Sequence, residues 1–240
     1  GQSGLELQYE SLLRGTAGVS LRSVDGKSQP IYDSGNLYIE PQDGNSIKLT
    51  IDATIQEICE KAMRECYDVN KAQAVHLIAM DPYTGAILAM CSKPDYDPNT
   101  IGEDWDRLTA DEGGEARLLN RATQGLYAPG STFKILTLME YLREHPDDWQ
   151  DFRFDCDGTY ETGEYTIRCY HGEAHGSQDL AHVFANSCNG AFAQIGETLD
   201  KDGLHQLAEQ LLYNRKLPLS LPYSQSSFVM VSGADQGVTL

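Results

Sequence analysis

The sequence Tyr127–Lys134, "YAPGSTFK", places a serine and a lysine three residues apart, directly after a Pro-Gly pair. The residues that follow, "ILTLMEYLREH", have apolar side chains at helical spacing and predict a helix. Residues i and i+3 of a helix lie on one face, with their Cβ atoms about 5–6 Å apart. Ser131 and Lys134 are therefore expected to face each other at the start of this helix.

This pair suits nucleophilic attack on an acyl group. A serine hydroxyl is a weak nucleophile until a neighbouring base takes its proton, and a buried lysine can be that base because burial favours its neutral amine. A free backbone N–H at the helix start would also stabilise an oxyanion. The alternative is an ordinary helix cap beside a solvated lysine, and the four residues from Ser131 to Lys134 favour that alternative when they are taken alone.

A second polar feature, "SCN" at residues 187–189, lies between two predicted helices. Ser187 and Asn189 alternate, so both side chains could point into one cleft. The serine could relay a proton between a lysine and a leaving group, and the asparagine could hold the lysine and bind a substrate amide. Taken alone, the stretch is better explained as a helix C-cap followed by an N-cap.

The two features together carry more information than either alone. An S-x-x-K sequence followed by S-x-N is the pattern of class A β-lactamases and penicillin-binding proteins. Over nearly its whole length the chain resembles the transpeptidase region of a class B, high-molecular-weight penicillin-binding protein, the type that cross-links peptidoglycan during division or sporulation. The stretches that carry the resemblance are "GLELQYESLLRGTAG", "LTIDATIQ", "AMDPYTGAILAMCSKPDYDPN", "YAPGSTFK" and "HGSQDLAHVFANSCN".

The resemblance implies a serine D,D-transpeptidase that cross-links peptidoglycan stem peptides through an acyl-enzyme and needs no cofactor or metal. Ser131 would be the nucleophile and Lys134 its general base, with Ser187 as the proton relay and Asn189 as the substrate-holding residue. β-Lactams would acylate the same serine. A β-lactamase, a β-lactam sensor and a catalytically silent scaffold of the same fold are the alternatives.

The family's third motif, Lys-Thr-Gly, does not follow Asn189 in this sequence. We therefore expect the chain to stop before that motif, which would leave the central sheet incomplete at the C-terminus. An exposed sheet edge would favour self-association. Because the first residue is Gly1, the chain is interpreted as part of a longer protein. A membrane anchor or signal could lie upstream, and the resemblance implies that the intact protein is anchored in the cell membrane and acts on its extracytoplasmic face.

Strands followed by several helices predict an α+β fold in which an antiparallel sheet is covered by helices. Residues 1–45 are predicted as β and turn, with a hairpin at Asp25-Gly26, and residues 46–240 as the transpeptidase domain. "AVHLIAM" and "AILAMCS" predict a hairpin of a well-covered sheet. Residues 93–116 are predicted to run over the surface, and residues 147–178 are predicted as a loop region. Asp52 is the predicted N-cap of the helix that follows it. Six residues are predicted to form the buried face of that helix: Ile55, Ile58, Cys59, Ala62, Met63 and Cys66.

The composition limits the kinds of molecule and metal ion that this chain is expected to bind. The 240 residues have a formal net charge of −18, which makes nucleic acid an improbable partner, since phosphate binding needs clustered Lys and Arg. Among six cysteines, Cys156 and Cys169 are the one pair considered for a disulfide. No CxxC or usual Cys/His spacing is present, so no zinc site is expected. His171 and His175 are interpreted as turn or packing residues.

Overall fold

A computed structural model describes residues 3–31, 37–111, 113–163 and 165–230. The chain divides into two compact units, Gly1–Gly125 with Leu219–Tyr223 and Leu126–Pro218 with Ser224–Leu240. Helices and antiparallel strand pairs occur in both units, which confirms the α+β class. These units are defined by contacts within the structure, so the division into 1–45 and 46–240 stays a prediction.

The described part of the chain contains the following elements. The helices are α1 Gly4–Gln8, α2 Glu10–Leu13, α3 Ala53–Asn70, α4 Ile101–Ala110, α5 Arg121–Gln124, α6 Lys134–Glu144, α7 Leu180–Ala185, α8 Asn189–Thr198 and α9 Lys201–Gln210. The strands are β1 Val19–Leu21, β2 Leu37–Ile39, β3 Val75–Met80, β4 Ile87–Lys93, β5 Arg153–Cys156, β6 Thr159–Thr162, β7 Tyr165–Arg168 and β8 Gly176–Asp179. Four antiparallel pairs form: β1–β2, β3–β4, β5–β8 and β6–β7.

In the first unit, α3 begins where the sequence predicts. The Asp52 carboxylate accepts hydrogen bonds from the backbone N–H groups of Thr54 (2.9 Å) and Ile55 (3.0 Å), which caps the helix. The predicted buried face is partly wrong. Met63 is buried and Ile55 and Cys59 are half-buried, whereas the remaining predicted members are exposed: Ile58, Ala62 and Cys66.

Gln56 explains the rotation of that face. Its amide donates to the Met90 carbonyl (3.2 Å) and accepts from the Met90 N–H (2.9 Å). These bonds attach α3 to strand β4 through a polar side chain. The helix therefore turns Gln56 and Met63 toward the sheet and leaves Ile58 outside.

The predicted hairpin is confirmed as β3–β4, with a bulge between Ala79 and Met80. Its turn is closed by Asp81, whose carboxylate accepts from Tyr83 N–H (2.9 Å) and the Thr84 hydroxyl (2.8 Å). The expectation of a well-covered sheet is wrong for the described residues. Alternate β3 side chains are exposed, Met80 by 57%, so this strand is covered on one face only.

The prediction of β and turn structure for residues 1–45 was partly correct. Asp25 closes a tight turn by accepting from the N–H groups of Lys27 (2.9 Å) and Gln29 (2.8 Å), as its hairpin signal predicts. Residues 4–13, however, form α1 and α2 rather than β and turn structure. The segment predicted to run over the surface contains α4. This helix was not predicted because acidic residues interrupt its i, i+4, i+7 apolar pattern of Ile101, Trp105 and Leu108.

The second unit is built around the apolar faces of α6, α8 and α9. Ile195, Leu204 and Val183 are at most 1% exposed and lie at the centre of this core. Helical spacing of apolar residues predicts three helices after residue 178, in "DLAHVFANS", "AFAQIGETLD" and "GLHQLAEQLLYN", and α7, α8 and α9 confirm them. The prediction of a loop over 147–178 is wrong, because this segment contains strands β5 to β8. Their partners are distant in sequence, so local patterns did not reveal them.

None of the helices in the described part of the chain has the length and apolarity that a membrane span requires.

Candidate active site

Ser131 lies in a single 3-10 turn, Gly130–Phe133, that leads directly into α6. Pro129 has a helical φ of −65°, while Gly130 has a φ of 57°, a value that favours glycine. These two residues set the entry to the turn. Within the described residues the Ser131 hydroxyl makes no hydrogen bond, and its backbone N–H donates to no carbonyl. The side chain is exposed, so both groups face solvent.

Lys134 is the first residue of α6, and its ammonium is held by three oxygen atoms. Its Nζ donates to Asn189 Oδ1 at 2.5 Å, to the Ser187 carbonyl at 2.7 Å and to Ser187 Oγ at 3.0 Å. An ammonium group has three N–H donors. All three are therefore engaged by the second motif.

The second motif is shaped so that both of its polar residues reach Lys134. Ser187 has a φ of 49°, a left-handed conformation that L-residues adopt at a cost of about 1–3 kcal/mol. This turn directs both its carbonyl and its hydroxyl toward the ammonium. Asn189, which begins α8, donates through Nδ2 to the Arg168 carbonyl at the end of β7 (2.8 Å). That bond orients its Oδ1 toward Lys134.

The first turn of α8 packs tightly on the neighbouring strands. A Cβ atom at Gly190 would lie 3.0 Å from Tyr160 Cβ and 3.1 Å from the Phe154 ring, so a glycine lets the helix approach closely. The Tyr160 hydroxyl donates to Glu197 at 2.8 Å. Burial and that carboxylate raise the pKa of Tyr160 to about 12. These contacts fix the position of α8 and hence of Asn189.

Burial lowers the pKa of Lys134. The residue is 9% exposed, and its Nζ lies 5.3 Å from the centre of the Phe192 ring. Desolvation disfavours the charged form of an amine. The environment therefore increases the fraction of neutral amine, the form that can accept a proton.

The structure brings three of the four predicted site residues into direct contact: Lys134, Ser187 and Asn189. Ser131 lies in the turn before Lys134, as predicted, but no hydrogen bond joins their side chains within the described residues. Two other participants were not predicted, the Arg168 carbonyl and the Phe192 ring, because both act through tertiary contacts that leave no local pattern.

A second group of reactive side chains lies behind the second motif. The Sγ atoms of Cys156 and Cys169 are 3.7 Å apart, those of Cys169 and Cys188 are 3.8 Å apart, and Cys156 Sγ lies 3.3 Å from His175 Nδ1. One ligand atom from each of the four residues lies within 4.8 Å of every other. The three thiols are at most 4% exposed, and His175 is half-buried.

This cluster bears on two expectations. The considered disulfide is not formed, since 3.7 Å is far longer than an S–S bond of about 2.05 Å. The absence of a zinc site stays a prediction; it was based on spacing, and folding brings three cysteines and a histidine together without a recognised spacing. His175 is half-buried and lies against Cys156, which agrees with its interpretation as a packing residue. The available signal was the spacing C-x12-C-x5-H-x12-C, which is longer than the spacings of common zinc motifs.

Residues 75–236 match the family described as "Penicillin binding protein transpeptidase domain", and residues 1–49 match "Penicillin-binding Protein dimerisation domain". Among curated proteins, the chain is 32% identical over 221 residues to stage V sporulation protein D of Bacillus subtilis, covering 92% of this chain and 33% of that protein.

Two solved structures have a similar fold and sequence. The D,D-transpeptidase domain of a peptidoglycan glycosyltransferase from Eggerthella lenta has a TM-score of 0.73 and 30% identity, covering 95% of this chain and 46% of that one. An imipenem acyl-enzyme complex of penicillin-binding protein A from M. tuberculosis has a TM-score of 0.71 and 27% identity, covering 82% and 48%. These likenesses confirm the penicillin-binding transpeptidase fold.

The chain spans about a third of the length of the curated relative and just under half of each structure. The transpeptidase match covers more than half of this chain, and the site described above contains the residues of the first two motifs. The chain therefore belongs to the penicillin-binding protein transpeptidase family.

Proposed function

We propose that the protein is a D,D-transpeptidase that cross-links peptidoglycan stem peptides through an acyl-enzyme on Ser131. The observation that carries the proposal is the arrangement around Lys134. A desolvated amine, held by Ser187 and Asn189, lies one helical turn from Ser131, an exposed residue. An exposed nucleophile beside a buried base is the arrangement that serine acyl transfer requires.

The acylation step follows from these positions. Ser131 Oγ attacks the carbonyl carbon of the penultimate D-alanine and transfers its proton to the neutral amine of Lys134. The oxyanion that forms is stabilised by the free N–H of Ser131 at the helical start. When the peptide C–N bond breaks, the Ser187 hydroxyl relays the proton from Lys134 to the departing nitrogen. Terminal D-alanine leaves, and the acyl group remains on Ser131.

The second half of the reaction reverses these proton transfers. The amine of a neighbouring stem peptide attacks the ester carbonyl, and Lys134 takes its proton. The serine–acyl bond breaks, a new peptide bond forms and the serine regains its hydrogen. Asn189 holds Lys134 throughout and is positioned to bind a substrate amide.

The same chemistry explains why β-lactams would inhibit this enzyme. Ser131 opens the lactam ring, and the ring nitrogen stays attached to the acyl group, so no leaving group departs. The penicillin-binding protein A structures are described as acyl-enzyme complexes with such drugs. We further propose that the protein acts on the extracytoplasmic face of the cell membrane, where its substrate lies, and that a membrane anchor holds it there.

Substrate turnover separates this function from a β-lactam sensor or a silent scaffold. The intact protein is incubated with a stem pentapeptide ending in D-Ala-D-Ala and an amine acceptor, and released D-alanine and cross-linked product are measured by mass spectrometry. We expect both products with the wild type and neither with Ser131→Ala. Ser177→Ala, an exposed serine on β8, is the control and should match the wild type. Penicillin acylation without peptide turnover would instead indicate a sensor.

A further inference from the structure

The turn that carries Ser131 receives little support from its own residues. The 3-10 turn Gly130–Phe133 has no side-chain cap at its start, and neither has α6, which follows it. Its local support is Thr132, whose backbone N–H (3.3 Å) and hydroxyl (2.7 Å) both donate to the Pro129 carbonyl. Because the hydrogen bonds of short 3-10 turns have poor geometry, the position of Ser131 depends on tertiary packing.

Phe133 provides that packing. It is the last residue of the turn, lies between Ser131 and Lys134 in the chain and is 7% exposed. Its ring stacks on Phe228, with the ring centres 5.2 Å apart, and contacts Tyr213 in a T-shaped arrangement at 6.2 Å. Phe228 and Tyr213 also contact each other, at 6.3 Å. The three rings therefore form an aromatic cluster that anchors the nucleophile turn.

Phe228 belongs to an extended segment, residues 226–228, which we call the strap. Asn214, which follows α9, attaches the strap with three hydrogen bonds. Its backbone N–H donates to the Ser226 carbonyl (3.1 Å), its Nδ2 donates to the Phe228 carbonyl (2.7 Å), and its Oδ1 accepts from the Phe228 N–H (2.9 Å). One asparagine side chain thus satisfies both backbone groups of Phe228 and orients its ring toward the cluster.

The backbone conformation of Asn214 indicates that this attachment is specific. Its φ is 56°, in the left-handed region that asparagine adopts more readily than most other residues. Such conformations persist where the surrounding contacts determine them, and they cluster at functional sites. The ring of Phe228 is also stacked on His205 of α9, with the ring centres 6.2 Å apart. Contacts from α9 and from Asn214 therefore both fix the strap.

We propose that the strap, through Phe228 and Asn214, positions the nucleophile turn for acylation. This inference rests on the proposed function, since positioning matters to the reaction only if Ser131 is acylated. The second motif holds the side chain of Lys134, whereas the strap acts on the backbone of the turn through Phe133. Base and nucleophile are therefore placed by separate contacts. Phe228 and Asn214 are positioning residues, because each acts through Phe133.

Ordinary core packing makes a different prediction from positioning. A residue that only stabilises the core lowers the folded fraction and leaves the acylation rate of the folded molecules unchanged. A residue that positions the turn changes that rate, because a misplacement of about 1 Å can cost about 100-fold. Phe152 is the matched control. Like Phe228 it packs against the core while partly buried, but its ring contact, at 5.6 Å, is with Tyr141 near the other end of α6.

Hydrogen–deuterium exchange of the intact protein, followed by mass spectrometry, tests the anchoring of the turn without any activity. Phe228→Ala removes the stacked ring. Asn214→Gly removes both side-chain hydrogen bonds and keeps the left-handed backbone accessible. We expect the amides of residues 132–134 to exchange at least about tenfold faster in both variants, and at the wild-type rate in Phe152→Ala and Phe228→Tyr.

Unchanged exchange at residues 132–134 in both strap variants would overturn the proposal. If Phe228→Ala does not fold, Asn214→Gly alone decides the outcome, since it leaves the aromatic cluster intact.

Penicillin acylation of the same proteins supplies the catalytic readout. Varying the penicillin concentration separates the binding constant from the rate constant of acylation, at a temperature where thermal unfolding shows each variant to be folded. We expect Phe228→Ala and Asn214→Gly to lower the rate constant at least about tenfold and to change the binding constant by less than about threefold. Phe152→Ala should keep the wild-type rate constant, and Phe228→Tyr should retain it because the ring is kept.

The outcomes separate the strap from the function on which it rests. Strap variants that exchange faster at the turn and yet keep the wild-type rate constant would overturn the positioning role. An equal loss of rate in folded Phe152→Ala would also overturn it, because the loss would then come from general weakening of the core. If the wild type itself is not acylated, the proposed function fails, and the exchange measurement still decides whether the strap anchors the turn.

Discussion

Replacing Asn189 by alanine removes one of the three acceptors that hold the Lys134 ammonium. The lost bond is short, 2.5 Å from Lys134 Nζ to Asn189 Oδ1, and its donor becomes charged when Lys134 takes a proton. Such hydrogen bonds contribute about 1.5–3 kcal/mol. Lys134 gains its charge as it takes the proton of Ser131, so the bond strengthens as the transition state forms. At about 1.36 kcal/mol per factor of ten, Asn189→Ala should slow acylation about 10- to 150-fold.

The assay is the second-order rate of acylation by a fluorescent penicillin, measured by stopped time points and gel fluorescence. Asn99→Ala, an exposed asparagine in another turn, is the matched control and should change the rate by less than about twofold, as surface substitutions usually do. Thermal unfolding of both variants shows whether the second unit remains folded. A folded Asn189→Ala protein that is acylated within about threefold of the wild-type rate would refute the reasoning, because it would place the bond outside the transition state.

A charge variant distinguishes electrostatics from simple loss of structure. Asn189→Asp keeps an oxygen near Lys134 and adds a negative charge. An opposite charge favours the protonated amine, so the pKa of Lys134 should rise and the pH profile of acylation should shift to higher pH. Asn189→Ala adds no charge and should not produce that upward shift. Identical profiles for the two variants would contradict the assignment of Lys134 as the base.

Three further outcomes follow from the structure. For the wild type, the acylation rate should rise with pH toward a plateau whose midpoint lies below 10.5, the ordinary pKa of lysine, because burial favours the neutral amine of Lys134; a rate independent of pH would contradict this. Ile195→Ala should destabilise the second unit by about 2–5 kcal/mol in denaturant unfolding, since Ile195 is 1% exposed, and a loss under about 1 kcal/mol would contradict its place in the core. Asp52→Ala should cost about 0.5–2 kcal/mol by removing the cap of α3, seen as faster amide exchange in its first turn; unchanged exchange would show that the cap is not needed.

Local signals were sufficient for much of the fold. The cap at Asp52 and the Asp81 turn of the β3–β4 hairpin are made by side chains that bond to residues two or three positions away. Such signals are present in any short window of sequence. The helices α6 to α9 likewise follow from apolar spacing. These elements were therefore predicted correctly.

The missed features depend on contacts between distant residues. The strand pair β5–β8 joins Arg153 to Asp179, and a short polar strand has no clear pattern until its partner is known. The buried face of α3 includes Gln56 because Met90 of β4 supplies its hydrogen bonds. Neither contact can be read from one segment alone. The strand pairing of β5 and the buried face of α3 were therefore determined by tertiary contacts, which local propensity does not reveal.

In the candidate site, too, some features follow from local sequence and others from contacts between distant residues. The positions of Ser131 and Lys134 at the start of the helix follow from the sequence, although no hydrogen bond joins their side chains among the described residues. The second motif was placed near them by resemblance. The three hydrogen bonds from Lys134 to oxygen atoms depend on the left-handed backbone conformation of Ser187. A serine in the sequence does not predict that conformation. The cysteine–histidine cluster required four connections to meet. Self-association of the chain, expected from an exposed sheet edge, stays a prediction.

The central claim is that Ser131 becomes acylated, and intact-protein mass spectrometry with benzylpenicillin tests it most directly. The account predicts that the mass of the protein increases by one penicillin. Peptide mapping should place the adduct on the segment containing Ser131, and Ser131→Ala should show no increase. An unmodified wild type, or an adduct that persists in Ser131→Ala, would contradict the account.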